Sequence, residues 1–315
     1  MSHQSARPLA RGTSIRDALD GAVTAIAAAG CETPRLDAEL LLAHALGVSR
    51  ERLLIARVGT GNMSSGGAVA AARVASQGEP KPVAQELVVT GPAVRTFQDF
   101  VRRRSVGREP VAYILGRRHF RHLELAVDPR ALIPRPETEL LVELALHLPA
   151  GARVLDVGTG SGAVALALKD ERPDLHVTGS DLNEEALALA RANGERLGID
   201  VRWLTADLLD GVPDEYDAVL SNPPYVPDAD RATLAPEIVR HEPASALFAG
   251  EDGLDAIRAL VPQASVLASL HLLALEVGAG QAGAVAELMR ADGFSDVRAE
   301  CDLAGIERVV AGRRA

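Results

Sequence analysis

A segment that could bind a planar polar group is Asn222-Pro223-Pro224-Tyr225, which follows a run of β-forming residues ending at Leu220. Proline donates no backbone hydrogen bond and keeps the residue before it extended, so neither a helix nor a regular strand continues through the segment. The resulting stiff corner presents carbonyl oxygens, one amide side chain and one aromatic ring. It could simply end a strand, or it could bind a planar group with N–H donors.

A glycine-rich loop could bind a nucleoside or a phosphate. Its five residues are Gly158, Thr159, Gly160, Ser161 and Gly162, within the sequence DVGTGSGAVALAL. Glycine lets the backbone turn tightly and approach a ligand at the N-terminus of the next helix. Because Gly158, Gly160 and Ala163 also fit the dinucleotide-binding pattern G-x-G-x-x-A, these residues alone do not exclude an NAD-binding site.

Two acidic residues follow the next predicted strands. Asp181 lies about 20 residues beyond the glycine loop, where a carboxylate can accept hydrogen bonds from both ribose hydroxyls. Taken alone, Asp181 could instead cap the helix that begins near Asn183. Together with the glycine loop, the ribose interpretation is favoured. Asp207 follows the third strand, in TADLL.

Strands and helices alternate after Gly151, which predicts an α/β fold with a doubly wound, mainly parallel sheet. The predicted strands are residues 153–158, 176–181, 201–205, 216–221, 271–277, 295–300 and 307–312. The predicted helices are residues 162–170, 183–198, 253–268 and 282–291. The last two strands are joined by a short link, which indicates an antiparallel end to the sheet. Ligands bind at the carboxyl edge of such sheets, so the glycine loop, Asp181, Asp207 and Asn222 to Tyr225 should line one crevice.

The N-terminal part is predicted to be helical. Ser14 with Asp17 begins a helix that ends at Gly30, and two amphipathic helices follow at 35–47 and 49–57. Residues 59–92 are rich in Gly, Ser, Ala and Pro, which favours a mobile insertion, although AVAAARVA within them could form a further short helix. We therefore predict a helical domain at 1–110, a β-hairpin connector at 111–135 and an α/β domain at 136–315.

Composition narrows the class of protein. The 315 residues include 47% hydrophobic and 24% charged side chains, as in ordinary globular proteins. The formal net charge of -10 argues against broad attraction to nucleic acid or to an anionic membrane. The two cysteines and eight histidines show no metal-ligand spacing, so no metal site is expected. Without a signal-like or membrane-spanning stretch, we expect a cytoplasmic protein.

A locally basic segment departs from this acidic balance. Eight arginines lie between Arg95 and Arg121, against Asp99 and Glu109. They could form a solvated helix face or a docking surface for RNA or an RNA-associated partner. Thr96 with Asp99 predicts a helix start within this segment.

Taken together, these motifs resemble a known family. The glycine loop, the second-strand acid and Asn-Pro-Pro-Tyr are similar to S-adenosylmethionine-dependent methyltransferases that modify planar nitrogens. With RLDAELLLAHALG, REPVAYILGRRHF, LIPRPETELLVE, HEPASALFAGEDGL and LALEVGAGQA, the chain resembles the release-factor glutamine N5-methyltransferases. That family modifies the glutamine of the Gly-Gly-Gln motif in class 1 peptide chain release factors. The resemblance covers nearly the whole chain apart from 59–92.

The resemblance implies a Rossmann-like seven-stranded sheet, S-adenosylmethionine as cofactor and a release factor as partner, without a membrane or a stable nucleic acid complex. It implies cofactor contacts at Gly158 to Gly162, Asp181, Asp207, Leu208 and Asn222. Many relatives have an aromatic residue where this chain has Leu208, so the adenine pocket should differ in detail.

For the substrate, the resemblance implies contacts from Asn222, Pro223, Pro224 and Tyr225. The Asn222 side-chain oxygen and the Pro223 carbonyl would each accept one N–H of the amide, and Tyr225 would pack on its flat face. The sequence leaves both a structural role and ligand contact open for the Pro134 to Glu139 loop, Glu276 and Asp302, and these residues are left out of the predicted site.

Two other functions fit some of the residues. An RNA or DNA amino-methyltransferase would hold a flipped base with the same Asn-Pro-Pro-Tyr segment. The net charge disfavours this alternative, whereas the arginine-rich segment favours it. A non-catalytic binding protein with this fold is disfavoured by the intact glycines and Asn222.

Overall fold

The computed structural model describes residues 13–59, 88–89, 91–213 and 215–314. The chain forms two compact units, Met1–Leu115 and Gly116–Ala315. The predicted insertion at 59–92 lies almost entirely outside the described residues. Within the described part of the chain, no helix is both long and apolar enough to cross a bilayer.

The first unit is mainly helical. Its elements are β1 (Thr13–Ser14), α1 (Ile15–Ala28), α2 (Pro34–Ala45), α3 (Arg50–Gly59), β2 (Val88–Val89), α4 (Gly91–Ser105) and α5 (Val111–Leu115). As predicted, Ser14 caps α1, and its Oγ accepts the backbone N–H of Asp17 over 3.1 Å. Leu19, Leu41 and Phe97 belong to the buried apolar cluster that holds α1, α2 and α4 together.

Helix α4 begins earlier than the sequence predicted. The capping pattern of Thr96 and Asp99 suggested a start at Thr96, but the helix begins at Gly91. Pro92 is compatible with the first helical turn, where its missing N–H would have no intrahelical acceptor. Asp99 instead accepts a hydrogen bond from Arg102, one turn further along the helix, over 2.7 Å.

Seven of the eight arginines between Arg95 and Arg121 have partners inside their own unit. The partners are Asp99 for Arg102, Glu109 for Arg103, Asp37 for Arg104, the Ala29 carbonyl for Arg108, Glu124 for Arg117, the Pro134 carbonyl for Arg118, and Glu171 with Glu143 for Arg121. Arg104 is buried, and its Nε donates to Asp37 Oδ2 over 2.6 Å. Much of the local positive charge is therefore neutralised by the protein itself, which weakens the case for an RNA surface.

The second unit holds the remaining elements. They are β3 (Arg117–Phe120), β4 (Leu123–Ala126), α6 (Glu139–Ala145), β5 (Arg153–Val157), α7 (Ala163–Glu171), β6 (His176–Asp181), α8 (Glu184–Leu197), β7 (Arg202–Thr205), β8 (Ala218–Ser221), α9 (Pro236–His241), α10 (Asp255–Ser265), β9 (Leu272–Glu276), α11 (Ala282–Ala291), β10 (Ser295–Cys301) and β11 (Glu307–Arg313). A short 3-10 helix at Pro136–Thr138 leads into α6.

Seven strands form one sheet in the order β10-β11-β9-β8-β5-β6-β7. The neighbouring strands from β9 to β7 in this order are all parallel to one another. Strand β11 is antiparallel to both of its neighbours, β9 and β10. This confirms the predicted fold class and the antiparallel end of the sheet. The strand order reverses between β5 and β8, and such a switch point opens a crevice at the carboxyl ends of the strands.

Apolar side chains cover both faces of the sheet. All residues of β8 and β9 are buried, as expected for central strands covered on both sides. One core cluster includes Leu166 of α7, and the other includes Leu260 of α10. The sheet is therefore a rigid base for the loops that follow its strands.

The hairpin β3–β4 is tied to α8 by one buried side chain. Asn193, which is 0% exposed, accepts the N–H of Ala126 over 2.7 Å and donates to the Ala126 carbonyl over 3.0 Å. Its Nδ2 also donates to the Ser161 carbonyl over 3.0 Å. The same amide thus fixes both the hairpin and the glycine loop.

Candidate active site

A cavity of about 650 Å³ lies at the carboxyl edge of the parallel strands. This volume lies in the range of small-molecule sites. The predicted site residues that line it are Gly158, Thr159, Gly160, Ser161, Asp181, Asp207, Leu208, Asn222, Pro223 and Pro224. Gly162 and Tyr225, which were also predicted, are not among its lining residues. Four separate loops of the sheet therefore meet at one cavity.

The glycine loop turns through left-handed backbone conformations. Gly158, Gly160 and Gly162 have φ of 70°, 56° and 83°. A side chain would be strained at each of them. Around Gly162 there is also little space, because an added Cβ would lie 3.0 Å from both Leu166 and Trp203. Gly162 thus serves the packing of the loop, whereas Gly160 faces the cavity.

Asp156, the first residue of the sequence DVGTGSG, is a buried acid that supports the glycine loop. It is 3% exposed, and its Oδ2 accepts from the Thr159 hydroxyl over 2.6 Å and from the Ala165 N–H over 3.2 Å. Burial raises the pKa of Asp156 to about 7, against the effect of these two hydrogen bonds. The acid holds the start of α7 against the end of β5.

Asp181 joins the ends of β5 and β6. Its Oδ2 accepts the Gly160 N–H and its Oδ1 accepts the Asn183 N–H, each over 2.9 Å. Asn183, not Asp181, caps α8, since its side chain accepts the N–H of Glu185 over 2.9 Å. Burial raises the pKa of Asp181, although the backbone hydrogen bonds act in the opposite direction. A carboxylate has about four acceptor sites, so Asp181 can still accept from further donors.

The loop after β7 adds Asp207 and Leu208 to the cavity wall. Leu208 has a φ of 52°, which is uncommon for a residue with a branched side chain. The next residue, Leu209, donates its backbone N–H to Gln263 over 2.9 Å and is buried in the core. The unusual backbone of Leu208 is thus held between the cavity and the packed interior.

Asn222 is the central polar side chain of the predicted substrate corner. Its Nδ2 donates to the Thr138 hydroxyl oxygen over 3.1 Å. Among residues 91–213 and 215–314, no group donates a hydrogen bond to Asn222 Oδ1 or to the Pro223 carbonyl. Two acceptor oxygens are therefore available at a corner that lines the cavity.

Tyr225 has a different environment from Asn222, Pro223 and Pro224, which line the cavity. Its hydroxyl donates to Glu276 Oε1 over 3.2 Å, and its backbone carbonyl accepts from Gln281 Nε2 over 3.0 Å. Burial and the neighbouring Glu276 carboxylate raise the pKa of Tyr225. Gly253 lies so close that a Cβ there would approach the Tyr225 carbonyl to 2.2 Å. That Tyr225 packs on a substrate amide stays a prediction.

Sequence reasoning missed several residues of the cavity wall. Pro134 and Thr138 come from the LIPRPETE loop, and Pro243, Ser245 and Ala246 come from HEPASA. The two loops are linked by Glu242, which accepts from the Ile133 N–H over 3.1 Å and from Arg135 over 2.6 Å. Both segments belong to the family resemblance, so that resemblance was the signal that could have found them.

The cavity suits a nucleoside cofactor with a cationic sulfur. Gly160 has no side chain to obstruct a ligand, and Asp181 and Asp207, whose carboxylates can accept hydrogen bonds, line the same wall. Within the described ranges, no group of three or more His, Cys, Asp and Glu residues has the arrangement of a metal site.

Two family models match the chain. One is described as the PrmC N-terminal domain and covers residues 17–58, and the other is described as the Methyltransferase small domain and covers residues 136–251. The second range includes the glycine loop and the Asn222 corner. It therefore contains most of the cavity wall.

Curated relatives match over most of the chain. A release factor glutamine methyltransferase of Deinococcus radiodurans is 41% identical over 307 residues, which cover 96% of this chain and 99% of that protein. A protein of the same description from Rhodospirillum rubrum is 38% identical over 94% of this chain and 84% of its own length. One from Pseudomonas aeruginosa is 47% identical over 76% of this chain and 89% of its own length.

Among solved structures, the hMettl16 catalytic domain in complex with MAT2A 3′UTR hairpin 6 is similar, with a TM-score of 0.50. The match covers 70% of this chain and 81% of that chain at 17% identity. At this level of identity the likeness concerns the fold alone.

Proposed function

Because the chain belongs to the release factor glutamine methyltransferase family, we propose that its cavity binds S-adenosylmethionine beside the side-chain amide of a release-factor glutamine, to which it transfers a methyl group. The protein is an enzyme that uses S-adenosylmethionine, and its substrate is a release factor. The glutamine of the Gly-Gly-Gln motif, modified at N5, is the specific target that we propose.

The observation that supports this function most directly is the hydrogen bonding of the Asn222 side-chain amide. Its nitrogen is bound to Thr138, while its Oδ1 and the Pro223 carbonyl remain as acceptors at the cavity. A glutamine side chain has an NH2 group with two N–H donors, so two acceptors match it. A hydroxyl or a carboxylate would satisfy this pair less well.

The proposed mechanism relies on orientation. An amide nitrogen is a poor nucleophile because its lone pair is delocalised into the carbonyl. The two acceptor oxygens would fix this nitrogen and stabilise the positive charge that develops on it during attack. When bound, S-adenosylmethionine would supply an already activated methyl group on its sulfonium. As the N–C bond forms, the C–S bond would break with S-adenosylhomocysteine as the leaving group, and the nitrogen would lose one proton to give the neutral N-methyl amide. Alignment of the nitrogen with that methyl is then the main task of the protein.

We propose that Gly158 to Ser161 and Asp181 hold the cofactor, with Asp181 accepting from its ribose. Asp207 and Leu208 would border the adenine. Leu208 offers an apolar surface there, but no aromatic face on which a base could stack. Asn222, Pro223 and Pro224 would contact the substrate.

The first unit, which includes the segment matched by the N-terminal family model, is proposed to help recognise the release factor. Release factors act in translation, so a cytoplasmic location is part of the same proposal. The alternative, an amino-methyltransferase of RNA or DNA, is not favoured, since seven of the basic-segment arginines already have protein partners.

The test is methyl transfer to defined substrates. The full-length protein is incubated with labelled S-adenosylmethionine and a purified class 1 release factor, and peptides are analysed by mass spectrometry. A gain of one methyl on the glutamine of Gly-Gly-Gln is expected, with no label in parallel reactions containing tRNA, rRNA or DNA. A release factor with that glutamine replaced by alanine is the matched control. Label in nucleic acid and none in protein would contradict the proposal.

A further inference from the structure

Gln281, the residue before α11, binds three backbone groups with its side-chain amide. Its Nε2 donates to the Tyr225 carbonyl over 3.0 Å and to the Asp252 carbonyl over 3.1 Å. Its Oε1 accepts the Gly278 N–H over 2.8 Å. A primary amide has two N–H donors and one acceptor oxygen, so both donors and the oxygen of Gln281 are in use.

Two glycines leave the space in which Gln281 and Tyr225 meet. A Cβ added to Gly253 would lie 2.9 Å from Gln281 Nε2 and would also collide with the Tyr225 carbonyl oxygen. A Cβ added to Gly278 would lie 2.8 Å from Gln281 Oε1 and 3.3 Å from the Tyr225 ring. The loops after β8, before α10 and after β9 are therefore packed closely around this amide.

Gln281 is not among the residues that line the cavity, but two of the segments that it binds reach the cavity wall. Pro224, which lines the cavity, directly precedes Tyr225. Asp255, which also lines it, follows Asp252 by three positions. Any effect of Gln281 on a ligand must therefore act through the backbone that it holds.

The substrate corner, residues 222–225, is stiff, so its orientation depends on how its two ends are held. The rings of its two prolines fix φ, and a residue that precedes proline is kept extended. The first residue of the corner, Asn222, donates its Nδ2 to the Thr138 hydroxyl over 3.1 Å. The last residue is held at its carbonyl by Gln281. A displacement of either end would turn the Pro223 carbonyl, which lies between them.

We propose that Gln281 is a positioning residue for methyl transfer, which holds the Tyr225 carbonyl and so fixes the direction from which the Pro223 carbonyl meets the substrate amide. This inference rests on the proposed function. The substrate nitrogen has to lie in line with the methyl group, and a misplacement of about 1 Å can lower a rate by about 100-fold. The proposed cofactor contacts at the glycine loop and Asp181 follow other strands, so cofactor binding should not depend on Gln281.

Two variants of Gln281 remove its donors. At pH 8, the carboxylate of Gln281→Glu can still accept from Gly278, but it places a negative oxygen against two carbonyls. Gln281→Met keeps a side chain of similar length without any donor. In each variant, kcat for methyl transfer to a release factor should fall by about tenfold or more. The KM for the release factor and the Kd for S-adenosylmethionine should stay within about threefold of wild type.

The rate is expressed per S-adenosylmethionine-binding site, counted by calorimetry, so that an unfolded fraction does not enter kcat. Gln263→Glu is the matched control, because it makes the same change from amide to carboxylate at a residue that does not line the cavity. The Gln263 oxygen accepts the Leu209 N–H over 2.9 Å, and a carboxylate can keep this bond. Its kcat should remain within about twofold of wild type.

A double variant tests whether Gln281 acts through the substrate corner. Asn222→Ala removes the other proposed acceptor, so the amide nitrogen is no longer held by the corner as a whole. Adding Gln281→Met to Asn222→Ala should then lower kcat by less than about threefold, against about tenfold or more when it is added to wild type. General damage to the fold would instead give the same factor in both backgrounds.

Each other result counts against the proposal. Wild-type kcat in either Gln281 variant, a Kd for S-adenosylmethionine that rises as much as kcat falls, or an equal loss in Gln263→Glu would overturn it while the wild-type enzyme remains active on release factor. The same factor in both backgrounds of the double variant would also overturn it. If the wild-type protein transfers no methyl to release factor, the proposed function itself fails, and the inference fails with it.

Discussion

Asp181 Oδ2 accepts the backbone N–H of Gly160 over 2.9 Å, so the acid after β6 fixes the loop after β5. The two residues line the same cavity. One carboxylate thus shapes the loop and faces the proposed ribose position.

Asp181→Asn should weaken cofactor binding. The amide keeps one acceptor oxygen but cannot serve Gly160, Asn183 and a ribose together. We expect the Kd for S-adenosylmethionine, measured by calorimetry, to rise about 10- to 100-fold. Asp200→Asn, at an exposed site that does not line the cavity, is the control and should bind normally. Equal affinity in both variants would contradict a cofactor role for Asp181.

Asn222→Ala should separate binding from turnover. The change removes one of the two proposed acceptors for the substrate amide. We expect kcat to fall by about 100-fold or more, while the Kd for S-adenosylmethionine changes by less than about fivefold. Near-normal turnover would show that Asn222 does not hold the nucleophile.

Gly162→Ala should destabilise the second unit. The added Cβ would be strained at a φ of 83° and would lie 3.0 Å from both Leu166 and Trp203. Backbone strain and overpacking together should cost about 2 to 4 kcal/mol in urea unfolding. Gly211→Ala has a similar φ of 71° but nothing within 4 Å of the added carbon, so it isolates the backbone cost, about 1 kcal/mol. Equal costs for the two variants would exclude the packing effect.

Glu276 should make stability depend on pH. Burial raises the pKa of Glu276 from 4.5 to about 7, so the folded protein binds a proton that the unfolded chain has lost in this range. The free energy of unfolding should therefore fall as pH rises from about 4.5 to about 7.

In Glu276→Gln this contribution is absent. The quantity to follow is the free energy of unfolding of the variant minus that of wild type, measured by denaturant titration at each pH. This difference should rise by up to about 3 kcal/mol as the pH increases from 4.5 to 7. Asp156, whose pKa is raised in the same direction, is present in both proteins and cancels from the comparison. Parallel stability curves would show that Glu276 titrates normally.

The strands could be predicted from sequence because their signal is local. Each of the seven is a short apolar or alternating run bounded by turn residues, and the structure has a strand in all seven places. Helix α4 was misjudged at its start, since Thr96 and Asp99 mimic a capping pattern while Gly91 and Pro92 begin the helix. Local propensity alone did not distinguish the two starts.

The residues behind the substrate corner could not be predicted in this way. Asn222 meets Thr138 across 84 positions of sequence, and Tyr225 meets Glu276 across 51. These contacts depend on the order of strands in the sheet, since β8 lies between β5 and β9. No local pattern around Thr138 or Glu276 indicates these contacts, and both residues were left out of the predicted site.

The prolines at the corner also bear on which chemical state of the substrate is accepted. Neither Pro223 nor Pro224 has an N–H, so the backbone of these two residues offers oxygen acceptors only. A release factor whose glutamine has deamidated would bring a glutamate carboxylate, with its negative charge and no donor, against those oxygens. We expect such a protein to compete poorly with the intact substrate in a transfer assay, so the enzyme would leave aged release factors untouched.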